Sequence, residues 1–235
     1  QDASEMPLLK FVKEKLKSKY LVDEISEAYA EIVALRERGM LFSTMESLES
    51  AVGAGAMQSG LKALCLHVAH DCNLRCEYCF AAKGDYNSGR HLMKREVALQ
   101  AVDYLVANSA ERRNVEIDFF GGEPLMNFDV VKEVVAYGRQ LEKTTDKHFY
   151  FTITTNGVLL DREKIDFINQ YMDNVVLSVD GRKETHDAVR HDAPGRGSYD
   201  RLVPLALELV GKRAGKSYFV RGTFTTRNKN FTADV

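Results

Sequence analysis

Three of the chain's four cysteines, Cys72, Cys76 and Cys79, fall within the eight residues "CNLRCEYC". The spacing is C-x3-C-x2-C, directly after an apolar run. Three thiols are an odd number for disulfides and one short of the usual structural zinc set. Thiolates are the standard ligands of iron–sulfur clusters. A four-iron cubane held by three cysteines keeps one iron without a protein ligand, and an open metal position can take a substrate. Other readings stay open on the residues alone. Zinc could take His67 or His70 as a fourth ligand, although no second C-x2-C is present. A disulfide is disfavoured by the odd count. Inert buried thiols usually occur singly.

The elements that must position this loop follow a repeat. From residue 61 the chain reads strand, loop, helix: "LKALCLHVAH", "VEIDFF", "HFYFTITT", "NVVLSV" and "SYFVRGTFT" as strands. Between them "KREVALQAVDYLVAN", "FDVVKEVVAYGRQLEK", "DREKIDFINQYM" and "SYDRLVPLALELVGK" read as helices. Strands alternating with such helices predict βαβ units and a parallel sheet. The fold class is α/β, an open or partial barrel, with the cysteine loop after its first strand, on the face where barrel active sites lie. On the first strand, Cys65 shares one face with His67 and Ala69. Cys65 reads as a small buried residue and His67 as a satisfied core histidine.

Residues 1–50 form a smaller, mainly helical module. Leu21, Ile25, Ala28, Ile32 and Leu35 recur at helical spacing, Gly39 is the expected C-cap, and "MLFS" reads as a short strand. Residues 51–60 are small and Gly/Ala-rich, a linker. The 235 residues carry a formal charge of −2, which gives no reason to expect nucleic acid or an anionic membrane as partner. No apolar run reaches membrane-span length. The start has no signal-peptide pattern and no initiator Met, so the expectation is a piece of a longer protein. The cysteines then read as reduced thiols of a cytoplasmic protein.

"CNLRCEYC" resembles the C-x3-C-x-aromatic-C motif of radical S-adenosylmethionine (radical SAM) enzymes. Other elements of that family stand in order at expected strand ends: "GGEP" (Gly121 to Pro124), "TNG" (Thr155 to Gly157) and "SVDG" (Ser178 to Gly181). "HDAVR" and "GRGSYDRL" resemble the peptide-modifying branch that carries a SPASM or twitch domain. The resemblance covers residues 61–235 and implies a (β/α)6-type radical SAM barrel. It implies that Cys72, Cys76 and Cys79 hold one 4Fe-4S cluster whose open iron chelates S-adenosylmethionine. Reductive cleavage then gives methionine and a 5′-deoxyadenosyl radical, which abstracts hydrogen from the substrate. It assigns Gly121, Gly122 and Glu123 to the methionine amino group, Ser178 and Arg190 to its carboxylate, and Tyr78 to adenine. Asn156 and Asp180 are candidates for the ribose or for turn caps. Arg221, at the end of the fifth strand, is a candidate substrate contact.

The N-terminal module resembles a winged-helix-like, leader-peptide recognition unit, with its first strands before Gln1 or absent. Together with the cysteine loop it is most similar to maturases of six-cysteine (SCIFF) peptides. Those enzymes join a cysteine sulfur to an α-carbon in a ribosomally made, Cys-rich precursor (a RiPP). The resemblance implies an electron donor such as flavodoxin or ferredoxin. It also implies auxiliary 4Fe-4S clusters in a C-terminal domain, expected in a missing part of the protein because no cysteine follows Cys79. A sulfatase-maturing or quinone-cofactor-type maturase is the alternative. A leader-binding module on an inactive barrel, or a zinc-stabilised fold, would account for fewer of the motifs.

Overall fold

β-Branched and aromatic runs form the strands, and amphipathic stretches form the helices that cover them. In the computed structural model, which describes residues 6–41, 60–226 and 228–234, six strands form one sheet. They are β1 (Ala63–His70), β2 (His91–Leu92), β3 (Asn114–Gly121), β4 (His148–Thr155), β5 (Asn174–Ser178) and β6 (Ser217–Arg221). Their order is β2-β1-β3-β4-β5-β6. β2 is antiparallel to β1, and every other neighbouring pair is parallel. This is the expected α/β, barrel-like parallel sheet.

Between the strands run α3 (Arg95–Asn108), α4 (Phe128–Leu141), α5 (Arg162–Tyr171), α6 (Lys183–Val189) and α7 (Tyr199–Gly211). β2 and α6 have no counterpart in the sequence expectations. Two strand residues and seven helical residues are too few to show a period. Strand β6 stops at Arg221, earlier than expected. Beyond it the Thr223 N–H bonds the Asp180 side chain at 2.7 Å instead of continuing a ladder.

One sheet face is the core. Ile117, Phe119, Phe151, Ile153, Val175 and Leu177 are buried against Val102, Val131, Val134, Ile165 and Leu202 of the helices. The opposite, concave face carries Cys65, Asp118, Thr152 and Asn174, paired side by side in register. Cys65 is exposed there, which corrects the buried expectation. Alternation puts its side chain on the concave face, away from the helix layer. His67 is on that face too, half-buried against the rings of His70, Tyr86 and Phe120 rather than in the core.

The chain divides into two compact units, residues 1–58 and 59–235. In the first, α1 (Met6–Leu16) and α2 (Val22–Glu37) pack on each other, with Ile25 buried. Gly39 follows α2 at φ +69°, and the N–H groups of Gly39 and Met40 return to Arg36 and Leu35 carbonyls at 2.9 Å each. This pattern is the Schellman stop for which glycine suits the left-handed position. Of "MLFS", Met40 and Leu41 belong to no strand, and Phe42 and Ser43 lie outside the described residues, as do the 51–60 linker apart from Gly60 and any further strands of the leader module. Among the described residues no helix is long and apolar enough to cross a membrane.

Candidate active site

The loop after β1 is tied down by backbone, not by regular structure. Arg75 and Glu77 donate N–H bonds to the carbonyls of His191 and Val189, at 2.7 and 3.0 Å, and Leu74 is buried beneath. The end of β3 packs directly on this loop. Gly122 and Glu123 donate to the carbonyls of Ala69 and Asp71, at 2.8 and 2.9 Å. Gly121 has φ +128°, and a Cβ on it would sit 2.3 Å from the Ala69 oxygen; one on Gly122 would sit 2.3 Å from the Asp71 oxygen. The paired glycines are therefore required by the contact between β3 and the cysteine loop, whatever they do for a ligand.

Eleven of the twelve candidate residues line one cavity of about 350 Å³ at the C-terminal ends of the strands. They are Cys72, Cys76, Tyr78, Cys79, Gly121, Gly122, Glu123, Asn156, Ser178, Arg190 and Arg221. The volume suits a small-molecule site. The twelfth, Asp180, is not in the lining. It is 2% exposed and accepts bonds from Arg190 Nε at 2.8 Å, from the Thr223 N–H at 2.7 Å and from the Tyr78 hydroxyl. The Arg190 guanidinium lies over the Tyr78 ring, 5.4 Å from its centroid. Asp180 thus ties the cysteine loop, Arg190 and the segment after β6 together, and its oxygens are taken by the protein rather than held ready for a ribose.

Glu123 is fully buried. Its oxygens accept from the Leu125 N–H (3.0 Å), the Thr155 hydroxyl (2.7 Å) and the Asn156 N–H (2.7 Å). Burial pushes its pKa up to about 7 despite those donors. Asn156 spans the site: its Nδ2 donates to Asn73 Oδ1 at 2.8 Å and lies 3.6 Å from Cys72 Sγ. Cys72 Sγ also accepts from the Leu74 N–H at 3.4 Å. Arg190 Nη1 lies 4.0 Å from Cys76 Sγ. Burial pushes the Cys72 thiol up to about 12 and raises that of Cys76. These thiols therefore need a metal to draw off their protons. No three His, Cys, Asp or Glu side chains among the described residues are arranged for a single metal ion. Three sulfurs around one cavity, with N–H donors toward two of them, fit a multi-iron core instead.

Sequence reasoning missed the support behind Arg190. His186 is fully buried; its Nδ1 accepts the Asp180 N–H at 3.2 Å, which leaves Nε2 as the donor to Ser198 Oγ at 2.9 Å. Ser198 passes the bond to the Arg190 carbonyl at 2.8 Å. Burial and the nearby Arg190 charge push the His186 pKa down to about 4. The sequence carries it as the first residue of "HDAVR", but nothing there marks its ring as buried, in a helix too short for a period. A folded pKa below the unfolded value means that His186 contributes stability above about pH 6.5, lost as pH falls toward 4. The His186→Ala variant is expected to unfold about 3 kcal/mol more easily at pH 7.5 and to lack that acid-side decline. Urea titrations at several pH values check both.

Residues 57–204 match the family of 4Fe-4S single cluster domains. A further match is the radical SAM cyclopropyl synthase TigE of Paramaledivibacter caminithermalis, 26% identical over 188 residues, 72% of this chain and 38% of that protein. The chain belongs to the radical SAM family with a 4Fe-4S domain. This radical SAM chain is also 31% identical over 138 residues to the cysteine-type anaerobic sulfatase-maturating enzyme of Clostridium novyi, covering 57% of this chain and 36% of that enzyme. The solved structure of anSMEcpe with bound AdoMet and Cp18Cys peptide superposes with a TM-score of 0.64 and 25% identity, over 74% of this chain and 46% of that one. The radical SAM chain thus spans less than half the length of each of these proteins.

Proposed function

We propose that this chain is the S-adenosylmethionine-cleaving part of a peptide maturase, acting on a ribosomally made Cys-rich precursor to form a thioether between a cysteine sulfur and an α-carbon. The observation that carries the reading is the single cavity lined by the cysteine triplet, the Gly-Gly-Glu turn, Ser178 and Arg190. Cys72, Cys76 and Cys79 would hold the cluster. When bound, the cluster supplies the electron that cleaves S-adenosylmethionine and so provides the hydrogen-abstracting adenosyl group. The protein's own share is to bind, orient and exclude water. Arg190 uses Nε for Asp180, and its remaining N–H groups suit the methionine carboxylate together with the Ser178 hydroxyl. Glu123 and the glycine carbonyls suit the amino group. Tyr78, held by Asp180, gives adenine an aromatic wall.

Peptide as the substrate class is supported by the related structure that holds both AdoMet and a peptide. The thioether product rests on the likeness of the cysteine loop and N-terminal helices to six-cysteine-peptide maturases. Leader binding by the N-terminal module, flavodoxin or ferredoxin as donor, auxiliary clusters elsewhere in the protein and a cytoplasmic setting belong to the same reading. Similarity to a sulfatase-maturating enzyme favours the second reading, oxidation of a sulfatase residue. Mass spectrometry separates the two. A Cys-rich precursor two hydrogens lighter, with no disulfide to reduce, supports the thioether; oxidation of a sulfatase peptide alone contradicts it.

The raised pKa of Glu123 gives a pH dependence. Below about pH 7 its carboxyl is neutral; above it the carboxylate pairs with the substrate ammonium. S-adenosylmethionine affinity is expected to rise between about pH 6 and 7.5, and Glu123→Gln to lack the rise. Anaerobic titration calorimetry reads this directly.

A further inference from the structure

The concave sheet face beneath the cavity holds two buried acceptors without partners, Asp118 Oδ1 and Asn174 Oδ1. They belong to one row across the sheet, Cys65–Asp118–Thr152–Asn174, in parallel register. The row is continuous with the active site. Phe120 and Thr154, two residues further along β3 and β4, line the cavity, as does Ser178, four residues beyond Asn174 on β5. Two residues of strand advance about 6.6 Å. The row is also open: Cys65, opposite Asp118, is exposed. Above it, Arg221 lines the cavity with its guanidinium over the Phe120 ring, 5.7 Å from the centroid, and its charge acts on Asp118.

A buried acceptor left unpaired costs stability, and each such group calls for an explanation. Two in one row that opens at Cys65, both oxygen, call for N–H donors from outside the chain. A phosphate or carboxylate would bring more acceptors. A lone cation would meet the Arg221 charge. A peptide main chain brings N–H groups without charge. We infer that Asp118, with Asn174 two strands along the same row, is a substrate-positioning residue that accepts a backbone N–H of the peptide undergoing modification. This rests on the peptide-maturase reading and adds the place where the peptide is held. Asp118 makes no step in bond cleavage. Burial raises its pKa to about 6, against the pull of Arg221, so the carboxylate is the main form at neutral pH.

The test uses the full-length, cluster-loaded protein and a six-cysteine precursor peptide. Asp118→Ala is expected to raise KM for the peptide about tenfold or more, with kcat changed less than about twofold. Asp118→Asn, which keeps shape and one acceptor oxygen, recovers part of the loss. Peptides N-methylated at one backbone amide at a time locate the donor. One methylation weakens turnover by the wild type and adds nothing further in Asp118→Ala. An unchanged KM in Asp118→Ala, or equal N-methyl penalties in wild type and variant, overturns the inference. So does loss of iron in both Asp118 variants, which would make the residue structural. A wild-type protein that cleaves S-adenosylmethionine yet leaves every peptide unmodified sinks the maturase reading instead, and so is told apart from failure at Asp118.

Discussion

Cys76→Ala is expected to lower bound iron several-fold and S-adenosylmethionine cleavage by more than about 100-fold, a larger loss than outer contacts to a metal site cause. The three cysteines line one cavity, with no fourth cysteine there. Cys65, the remaining one, is exposed on β1 and is not in the lining. If the triplet holds the proposed cluster, removing any one cysteine would leave two thiolates for a core with one open position already. Cys76 also has Arg190 as its charged neighbour, which lowers the thiol pKa against burial. On the proposed reading its loss removes a cluster ligand and, beside Asp180, a second group that Arg190 faces. Iron and sulfide analysis after anaerobic reconstitution reads the first effect, and chromatography of the adenosyl product reads the second. Cys65→Ala is the control expected to retain both.

Asp180→Ala is expected to destabilise the fold by about 3–5 kcal/mol, because it strands a buried positive charge. The pair is well buried, with side chains of Arg190 and Asp180 at 7% and 0% exposure. Three elements lose their common acceptor at once: Arg190 after α6, Tyr78 in the cysteine loop and Thr223 after β6. Asp180→Asn costs less, because an amide oxygen can still accept from the Thr223 N–H. Affinity for S-adenosylmethionine falls more than about tenfold in Asp180→Ala, since Arg190 and Tyr78 both lose their anchor. Urea unfolding and anaerobic calorimetry measure the two effects. A change under about 1 kcal/mol would mean that Arg190 finds another partner.

The cysteine triplet was legible in the sequence because its three residues sit in one short loop, and the structure brings them to one cavity. The five parallel strands were legible because each is long enough to alternate, with a helix period between. "GGEP" was legible as a site but not for its reason. The sequence suggests a close ligand; the structure shows that Ala69 and Asp71 carbonyls already occupy the space a side chain would need. That contact joins residues some fifty positions apart in the chain, which no local pattern reports. The same holds for Asp180. Its sequence context suits a turn cap or a ribose contact, while its partners come from three separate segments. His186 and Ser198 form a buried chain behind Arg190; both fall inside the stretches "HDAVR" and "GRGSYDRL", but the bond that joins them spans twelve positions and no local pattern reports it. Cys65 was misread because alternation tells which residues share a face, but not which face is covered.

The central claim is that Cys72, Cys76 and Cys79 hold a cluster whose open position serves S-adenosylmethionine in this cavity. The direct measurement is reduction of the anaerobically reconstituted protein with dithionite in the presence of S-adenosylmethionine, followed by chromatography. The expected result is 5′-deoxyadenosine and methionine in equal amounts, absent in Cys76→Ala. Protein that carries four irons per chain, is fully reduced and yields no 5′-deoxyadenosine would contradict it.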